Sequence, residues 1–563
     1  MSLLMKDLRP HRVPIAIVSL IVFGWASFLL FPSETWSWQP QTTTTSTRDA
    51  DRRFALVIPA NNPSPDLCKT IGSALALGYP SPVIINWGVD HRPISKWRGG
   101  KNLPKVPGFV DYLDAVMHPN AHPSERLEED DIVLLVDAYD VWFQLPAQVM
   151  LERYHRLNKE ANDRLQEMWN KKKTGKMPMK QTIIAASGKR CDPKLEKMGY
   201  KIRCDKWPQS PLRKDLYGPD TDKNETWNNY RPRWINGGVY IGPAGDLRRL
   251  FRRAYFTMEN GIGRGIKMRS EQSLAAEVIV EQEMFRKWQR SNKVPKPAMA
   301  DLMDDKLEYH IGLDYGQELS VQTQWAQDVH GRDNGAFVKL GNQSAIDEYS
   351  QKRGIQPVRL QGIPEDVLSA PNPLADIVPG SNWTNMSLYA DFFTESVPVI
   401  LHHNGVGPLK KHRSTWWDKP WYYQHLRTLL HKRMRSTGEP EDPLATVLDE
   451  GSRIRYWSVS AEQESMYPRE MKKSAKNRLN KMKFSNICQY KKKKADTNVP
   501  YPDWWDEVFR DESRRFKSRD YAACECHCWS DVLLDKSVIR RARNHHESCL
   551  RNSSCKKERS PTD

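Results

Sequence analysis

Long apolar runs are scarce in this chain. Charged residues make up 28% of its 563 positions, which leaves most of it water-soluble. The exception is Val13 to Phe31, nineteen uncharged residues that include Ile15, Val18, Ile21, Val22, Phe28 and Leu29. No internal repeat is present, so a solenoid or propeller is not expected. No His-x-Asp pair occurs anywhere, which leaves iron-dependent hydroxylation unsupported. Between Lys472 and Lys494 there are ten Lys or Arg and no acid. Much of the formal charge of +17 is therefore local, which argues against a uniformly basic binding surface. Such runs are usually solvated, with contact to anionic glycans or lumenal-leaflet lipid as the alternative. No small-x-small cleavage site follows the apolar stretch, which continues Phe31-Pro32-Ser33-Glu34-Thr35-Trp36. That favours an uncleaved anchor over a signal peptide.

At about 1.5 Å per residue, the stretch is just long enough to cross a bilayer core of about 30 Å. Lys6, Arg9 and Arg12 precede it, while the other flank carries only Glu34 before Arg48. The positive-inside bias places residues 1–12 in the cytoplasm, 13–31 in the membrane and everything after 32 in the lumen of the endoplasmic reticulum or Golgi. Nucleic acid is excluded as a partner by that topology. Asn-x-Ser/Thr triplets at Asn224, Asn342, Asn382, Asn385 and Asn552 agree with lumenal exposure. So do the nine cysteines. Cys191 and Cys204 bracket a short polar loop and are expected to form a disulfide in an oxidising compartment. Cys524, Cys526, Cys528, Cys549 and Cys555 cluster near the end. Disulfides are favoured there over a zinc site, and the odd total leaves at least one thiol unpaired within the chain.

Residues 32–52, with Thr42-Thr43-Thr44-Thr45, lack apolar periodicity and read as a stem. Strands are expected over 54–59, 82–87 and 182–186, and helices over 67–77, 110–117 and 147–173. This alternation predicts an α/β domain with a mostly parallel, nucleotide-binding sheet flanked by helices. The domain is expected to span 53–435 and to close after Trp416-Trp417-Asp418-Lys419-Pro420-Trp421-Tyr422-Tyr423. Residues 436–563 read as a separate basic, cysteine-containing region.

The most informative segment is Ile132-Val133-Leu134-Leu135-Val136-Asp137-Ala138-Tyr139-Asp140-Val141-Trp142-Phe143. A continuous apolar run reads as a buried parallel strand, and ligands of open α/β sheets sit beyond the carboxyl ends of such strands. Asp137 and Asp140 are placed there to hold a hard divalent cation, which can in turn hold a diphosphate. Two surface acids are the simpler alternative. Arg233-Trp234-Ile235-Asn236-Gly237-Gly238-Val239-Tyr240-Ile241-Gly242 offers a glycine pair that lets backbone approach a ligand, where a plain glycine turn is the alternative. Val399-Ile400-Leu401-His402-His403-Asn404-Gly405 is again strand then turn. Neutral imidazole ligates a borderline cation such as Mn²⁺, although a lone strand-end histidine is more often packed or solvated.

Together these segments resemble the glycosyltransferase domain of the procollagen lysyl hydroxylase family and, more distantly, other Mn²⁺-dependent GT-A enzymes. The family's Asp-x-Tyr-Asp, Gly-Gly-Phe-Ile-Gly-like, Asp-Gln and His-x-Asn-Gly motifs correspond to Asp137–Asp140, Gly237–Gly242, Glu271-Gln272 and His402–Gly405. Ile311-Gly312-Leu313-Asp314-Tyr315 resembles its late strand. The resemblance spans roughly residues 53 to 411 and implies a GT-A-like fold. It implies that Asp137, Asp140 and His402 bind Mn²⁺ and that Tyr139 packs on uracil. It also implies that Lys101 or Lys105 meets the nucleotide, with Gly405 and Lys410 near the diphosphate. Asn236, Gly237 and Gly238 would line the substrate, and Glu271 with Gln272 the reacting centre. Two departures stand out: Ser270 replaces one acid of the family's acid pair, and Val406-Gly407 look inserted before Pro408. The expected activity is transfer of a hexose from a UDP-sugar to a hydroxyl of a glycan or glycoprotein. A catalytically silent sugar-binding or scaffold protein and a metal-dependent hydrolase are the alternatives.

Overall fold

A computed structural model describes residues 49–509, apart from 90–99, 101, 192–202, 224–226, 267–269, 292–306, 329, 406–410, 436–441, 460–466, 472–478 and 491–503. These residues belong to one unit that begins at Asp49. The expected anchor, nearly all of the stem, Lys101, Lys410, Asn224, Asn552 and the five late cysteines lie outside the described residues. Among those described, no helix is long and apolar enough to cross a membrane.

The architecture is mixed α/β. Strands β1 (Ala50–Pro59), β2 (Val83–Ile85) and β3 (Ile132–Val136) are joined through helices α1 (Pro65–Ala76) and α2 (Lys105–Val116). Helix α1 begins two residues before the expected 67, where Ser64 accepts from the Asp66 N–H at 3.2 Å and Pro65 takes a first-turn position. Strand β2 stops before Asn86, whose φ of 62° breaks the extended run. After β3 come β4 (Val141–Phe143), helix α3 (Ala147–Asn170), β5 (Ile183–Gly188) and β6 (Trp234–Pro243). Helices α4 (Ala244–Gly263) and α5 (Glu271–Gln289) follow, then β7 (Ile311–Asp314). The central sheet runs β2-β1-β3-β6-β5-β7. Its pairs β1·β2, β1·β3 and β5·β7 are parallel, and β6 runs against both β3 and β5.

Alternation along the strands builds a core on each face. Phe54, Leu56, Ile58, Ile132, Leu134 and Val136 point to the side covered by α1 and α3. Ala55, Val57, Val133 and Leu135 point to the side covered by α2, α4 and α5. Each fully buried leucine or isoleucine contributes about 1.5–3 kcal/mol, so both faces of β1 and β3 are firmly held.

A second, three-stranded sheet has the order β4-β11-β8, where β8 is Ser320–Gln322 and β11 is Ile400–His402. The segment around Asp137 is therefore two strands in two sheets, with the acids in the turn between them. A two-stranded sheet pairs β9 (Gly335–Lys339) with β10 (Ser387–Asp391).

The expected boundary near residue 435 does not detach the C-terminal residues from the sheet. Ser452–Ser458 pairs in parallel with the first half of β1, and Arg469–Glu470 with β2. Cys488 is disulfide-bonded to Cys68 of α1, and Trp417 donates from its indole N–H to the Val508 carbonyl at 2.8 Å. These strands are short and rich in charge, so their apolar signal is weak; they are held by pairing with strands already buried. The expected Cys191–Cys204 disulfide is present.

Candidate metal centre

The Asp137–Asp140 turn is fixed from three sides. The Asp137 N–H donates to the Gly238 carbonyl at 2.9 Å, and the His403 N–H donates to the Asp140 carbonyl at 2.7 Å. From α1, the hydroxyl of fully buried Thr70 donates to the Val141 carbonyl at 2.8 Å. The turn thus bonds to β6, to the end of β11 and to α1.

Three donor groups converge there. His402 Nε2 lies 3.6 Å from Asp137 Oδ2 and 3.6 Å from Asp140 Oδ1. One ligand atom from each of the three residues falls within 4.8 Å of the others, a spacing that could hold a metal ion. Asp140 and His402 are buried and Asp137 half-buried. Two carboxylates and an imidazole suit a divalent cation of hard to borderline character, and do not by themselves select one. Two carboxylates this close repel one another unless a cation or a proton intervenes.

Lys105 supplies a neighbouring charge. At the start of α2, its ammonium bonds both Asp137 Oδ1 and Glu271 Oε1, the latter at 2.7 Å. Burial alone would lower the Lys105 pKa, but the two carboxylates more than offset it and hold the ammonium charged above its ordinary range. Because Lys105 takes Oδ1, the other oxygen of Asp137 is the one turned toward His402. Burial raises the Glu271 carboxyl, opposed by Lys105 and reinforced by Asp137. Its Oε2 is buried with no hydrogen-bond partner among the described residues.

The glycine pair serves close approach. A Cβ on Gly238 would collide with His402 Cε1 and stand 2.5 Å from its Nδ1, so only glycine leaves room for the ring. A Cβ on Gly237 would press on Gln272 at 3.1 Å and on the Glu271 carboxylate at 3.2 Å. Gln272 Oε1 accepts from the Gly237 N–H at 3.0 Å, which ties the start of α5 to β6, and Asn236 Oδ1 accepts from the Gly238 N–H at 3.0 Å.

The structure therefore brings together Asp137, Asp140, His402, Gly237, Gly238, Glu271 and Gln272. Tyr139 is half-buried, and its hydroxyl donates to the Asn62 carbonyl at 2.9 Å. Gly405 adopts φ 101° just after the histidine strand. Of the two lysines expected near the nucleotide, Lys105 is in the cluster and Lys101 lies outside the described residues. Arg413 was not singled out by sequence, yet its guanidinium donates to the Tyr139 carbonyl at 3.2 Å and pairs with Asp66 at 3.4 Å. Its signal was only a basic residue eleven positions beyond His402, with nothing to distinguish it from its neighbours Lys410 and Lys411.

His403 points elsewhere. It is fully buried, packs edge-on to Trp142 with ring centroids 4.1 Å apart, and burial holds it neutral, far below the ordinary histidine range. No family model matches the chain, and no curated protein matches it.

Proposed function

We propose that this chain is a metal-dependent glycosyltransferase of GT-A-like fold that moves a hexose from a UDP-sugar to an acceptor hydroxyl on a protein or glycan. The observation that carries this reading is the convergence of Asp137, Asp140 and His402 beyond the carboxyl end of β3, in a mixed α/β sheet. A divalent cation such as Mn²⁺, bound by these three residues, would offset the negative charge that develops on the departing diphosphate. The remaining roles belong to the chain. Lys105 orients Asp137 and keeps a positive charge inside the site. Arg413, beside the Tyr139 carbonyl, is a further cation for the diphosphate. Tyr139, clasped to Asn62, offers a ring to the base. If the transfer inverts, Glu271 is the general base: its pKa is raised by burial, and Oε2 is free to take the acceptor proton while Lys105 holds Oε1. Asn236, Gly237 and Gly238 bring backbone close to the sugar. Two disulfides support an oxidising compartment, which agrees with a catalytic domain facing the secretory lumen behind an N-terminal anchor.

The test is UDP release by the full chain from a panel of UDP-sugars, with and without Mn²⁺ and with and without acceptor glycans. Release that needs both Mn²⁺ and acceptor supports the transferase. Equal release without acceptor would indicate a hydrolase, and no release from any donor a silent binding protein.

A further inference from the structure

The imidazole of His402 has a second edge with no role assigned above. Nε2 faces the two aspartates, whereas Nδ1 is buried and has no hydrogen-bond partner among the described residues. A neutral imidazole that ligates through one nitrogen carries its proton on the other. Metal-binding histidines ordinarily donate that proton to a carboxylate, a carbonyl or a water. On the β6 side of the ring stands Gly238, which offers no side-chain acceptor.

On the neighbouring strand stands Gln322. Strands β8 and β11 are parallel and pair Gln322 with His402 in register, so both side chains leave the small sheet on the same face. The register is pinned further along: the Thr323 N–H donates to the His402 carbonyl at 3.0 Å, and the Gln324 N–H donates to Asn404 Oδ1 at 3.0 Å. Gln322 is 3% exposed, yet among the described residues its Oε1 has no partner and its Nε2 reaches only the Ser320 hydroxyl at 3.5 Å. Two other buried glutamines, Gln144 and Gln282, use both ends. Gln144 donates to the Tyr389 and Pro398 carbonyls and accepts from the Tyr389 N–H. Gln282 donates to the Ile311 carbonyl and accepts from the Tyr309 and Ile311 N–H groups. Gln322 staples nothing comparable. Adjacent strands therefore present two buried and complementary atoms, each lacking a partner among the described residues.

We propose that Gln322 is a positioning residue of the metal centre, its Oε1 accepting the Nδ1–H of His402 when a divalent cation is held. That bond fixes the tautomer that leaves Nε2 free to ligate, and it sets the ring plane against Gly238. The terminal torsion of glutamine is broad, so the amide is able to turn its oxygen toward the ring. The inference rests on the metal reading of Asp137, Asp140 and His402.

Titration calorimetry of the full chain with Mn²⁺ alone tests it, comparing wild type with Gln322→Met and Gln322→Glu, alongside thermal unfolding of each metal-free protein. Methionine fills similar space without a comparable acceptor, and glutamate keeps one. Gln322→Met is expected to weaken Mn²⁺ binding by about 10- to 100-fold without lowering the metal-free unfolding midpoint. Gln322→Glu is expected to bind at least as tightly as wild type. Binding by Gln322→Met within about threefold of wild type, or equal losses in both variants, would overturn the role of Gln322 while leaving the metal site standing. Absence of Mn²⁺ binding by wild type would overturn the metal reading and this inference with it. Should the methionine variant fail to fold, Gln322→Asn withdraws the oxygen by one methylene: the same weakening is expected, and unchanged binding would overturn the proposal.

Discussion

Half-buried His155 and buried His402 both sit beside carboxylates, and the difference between them separates structure from function. His155, on α3, uses both ring nitrogens: Nδ1 meets Asp449 Oδ2 at 2.9 Å and Nε2 meets the Tyr456 hydroxyl at 2.6 Å. Its partners lie on the hairpin formed by Ala445–Asp449 and Ser452–Ser458, so the histidine clasps that hairpin to α3. His402 sits between two carboxylates at 3.6 Å each and leaves Nδ1 without a partner among the described residues. The fold gains nothing from leaving Nδ1 so, because an unpaired buried polar atom costs stability. Where a protein retains that cost, a ligand that relieves it is the natural explanation.

The contrast is sharpest at Asp140. Asp140→Asn keeps the shape but removes one charge from the cluster. Mn²⁺-dependent transfer should fall by at least about a thousandfold, or ~4 kcal/mol of barrier, while the metal-free unfolding midpoint stays level or rises. A lowered midpoint with activity within about threefold of wild type would make Asp140 a structural acid like Asp449. Gly238→Ala should follow. The added methyl has no room beside the His402 ring, so Mn²⁺ affinity in calorimetry should drop by about 10- to 100-fold.

His155→Ala should do the reverse. It strands the buried Tyr456 hydroxyl and removes a clasp, costing about 1–3 kcal/mol in chemical denaturation with Mn²⁺ affinity unchanged. The smallest effect is one of pH. Burial lowers the His155 pKa, against the opposing pull of Asp449. The folded state thus resists protonation more than the unfolded chain does. The stability tied to neutral His155 is present above the unfolded value of about 6.5 and is lost as pH falls below it toward the depressed folded value. The decline in unfolding midpoint between about pH 7.5 and 5.5 should therefore shrink in His155→Gln. An identical slope in wild type and variant would show that His155 does not contribute.

Much of this was legible in the sequence because it rests on local pattern. The run Ile132–Val136 ending in Asp137, the glycine pair and the strand before His402 each announce a rigid element followed by a chemical group. The parallel β1-β2 start could be read from alternation and helix spacing. What escaped depends on distant contacts. Lys105 joins the cluster only because the start of α2 packs below the β3 turn, and nothing local separated it from Lys101. Cys68–Cys488 closes a separation of 420 residues, a pairing that spacing does not disclose. The strands beyond residue 435 are short, charged and dependent on β1 and β2 for burial, so pattern alone read them as a separate region. Gln322 gave no signal at all, since its interest comes from register with His402.

The most direct test of the central claim is Mn²⁺ titration, with UDP present, of wild type, His402→Ala and His403→Ala. Adjacent side chains at a strand end point to opposite faces, and His403 packs on Trp142 instead of facing the aspartates. The prediction is binding by wild type, loss of binding in His402→Ala with its fold intact, and retained binding in His403→Ala despite a lower unfolding midpoint. Binding by His402→Ala at wild-type strength would contradict the account.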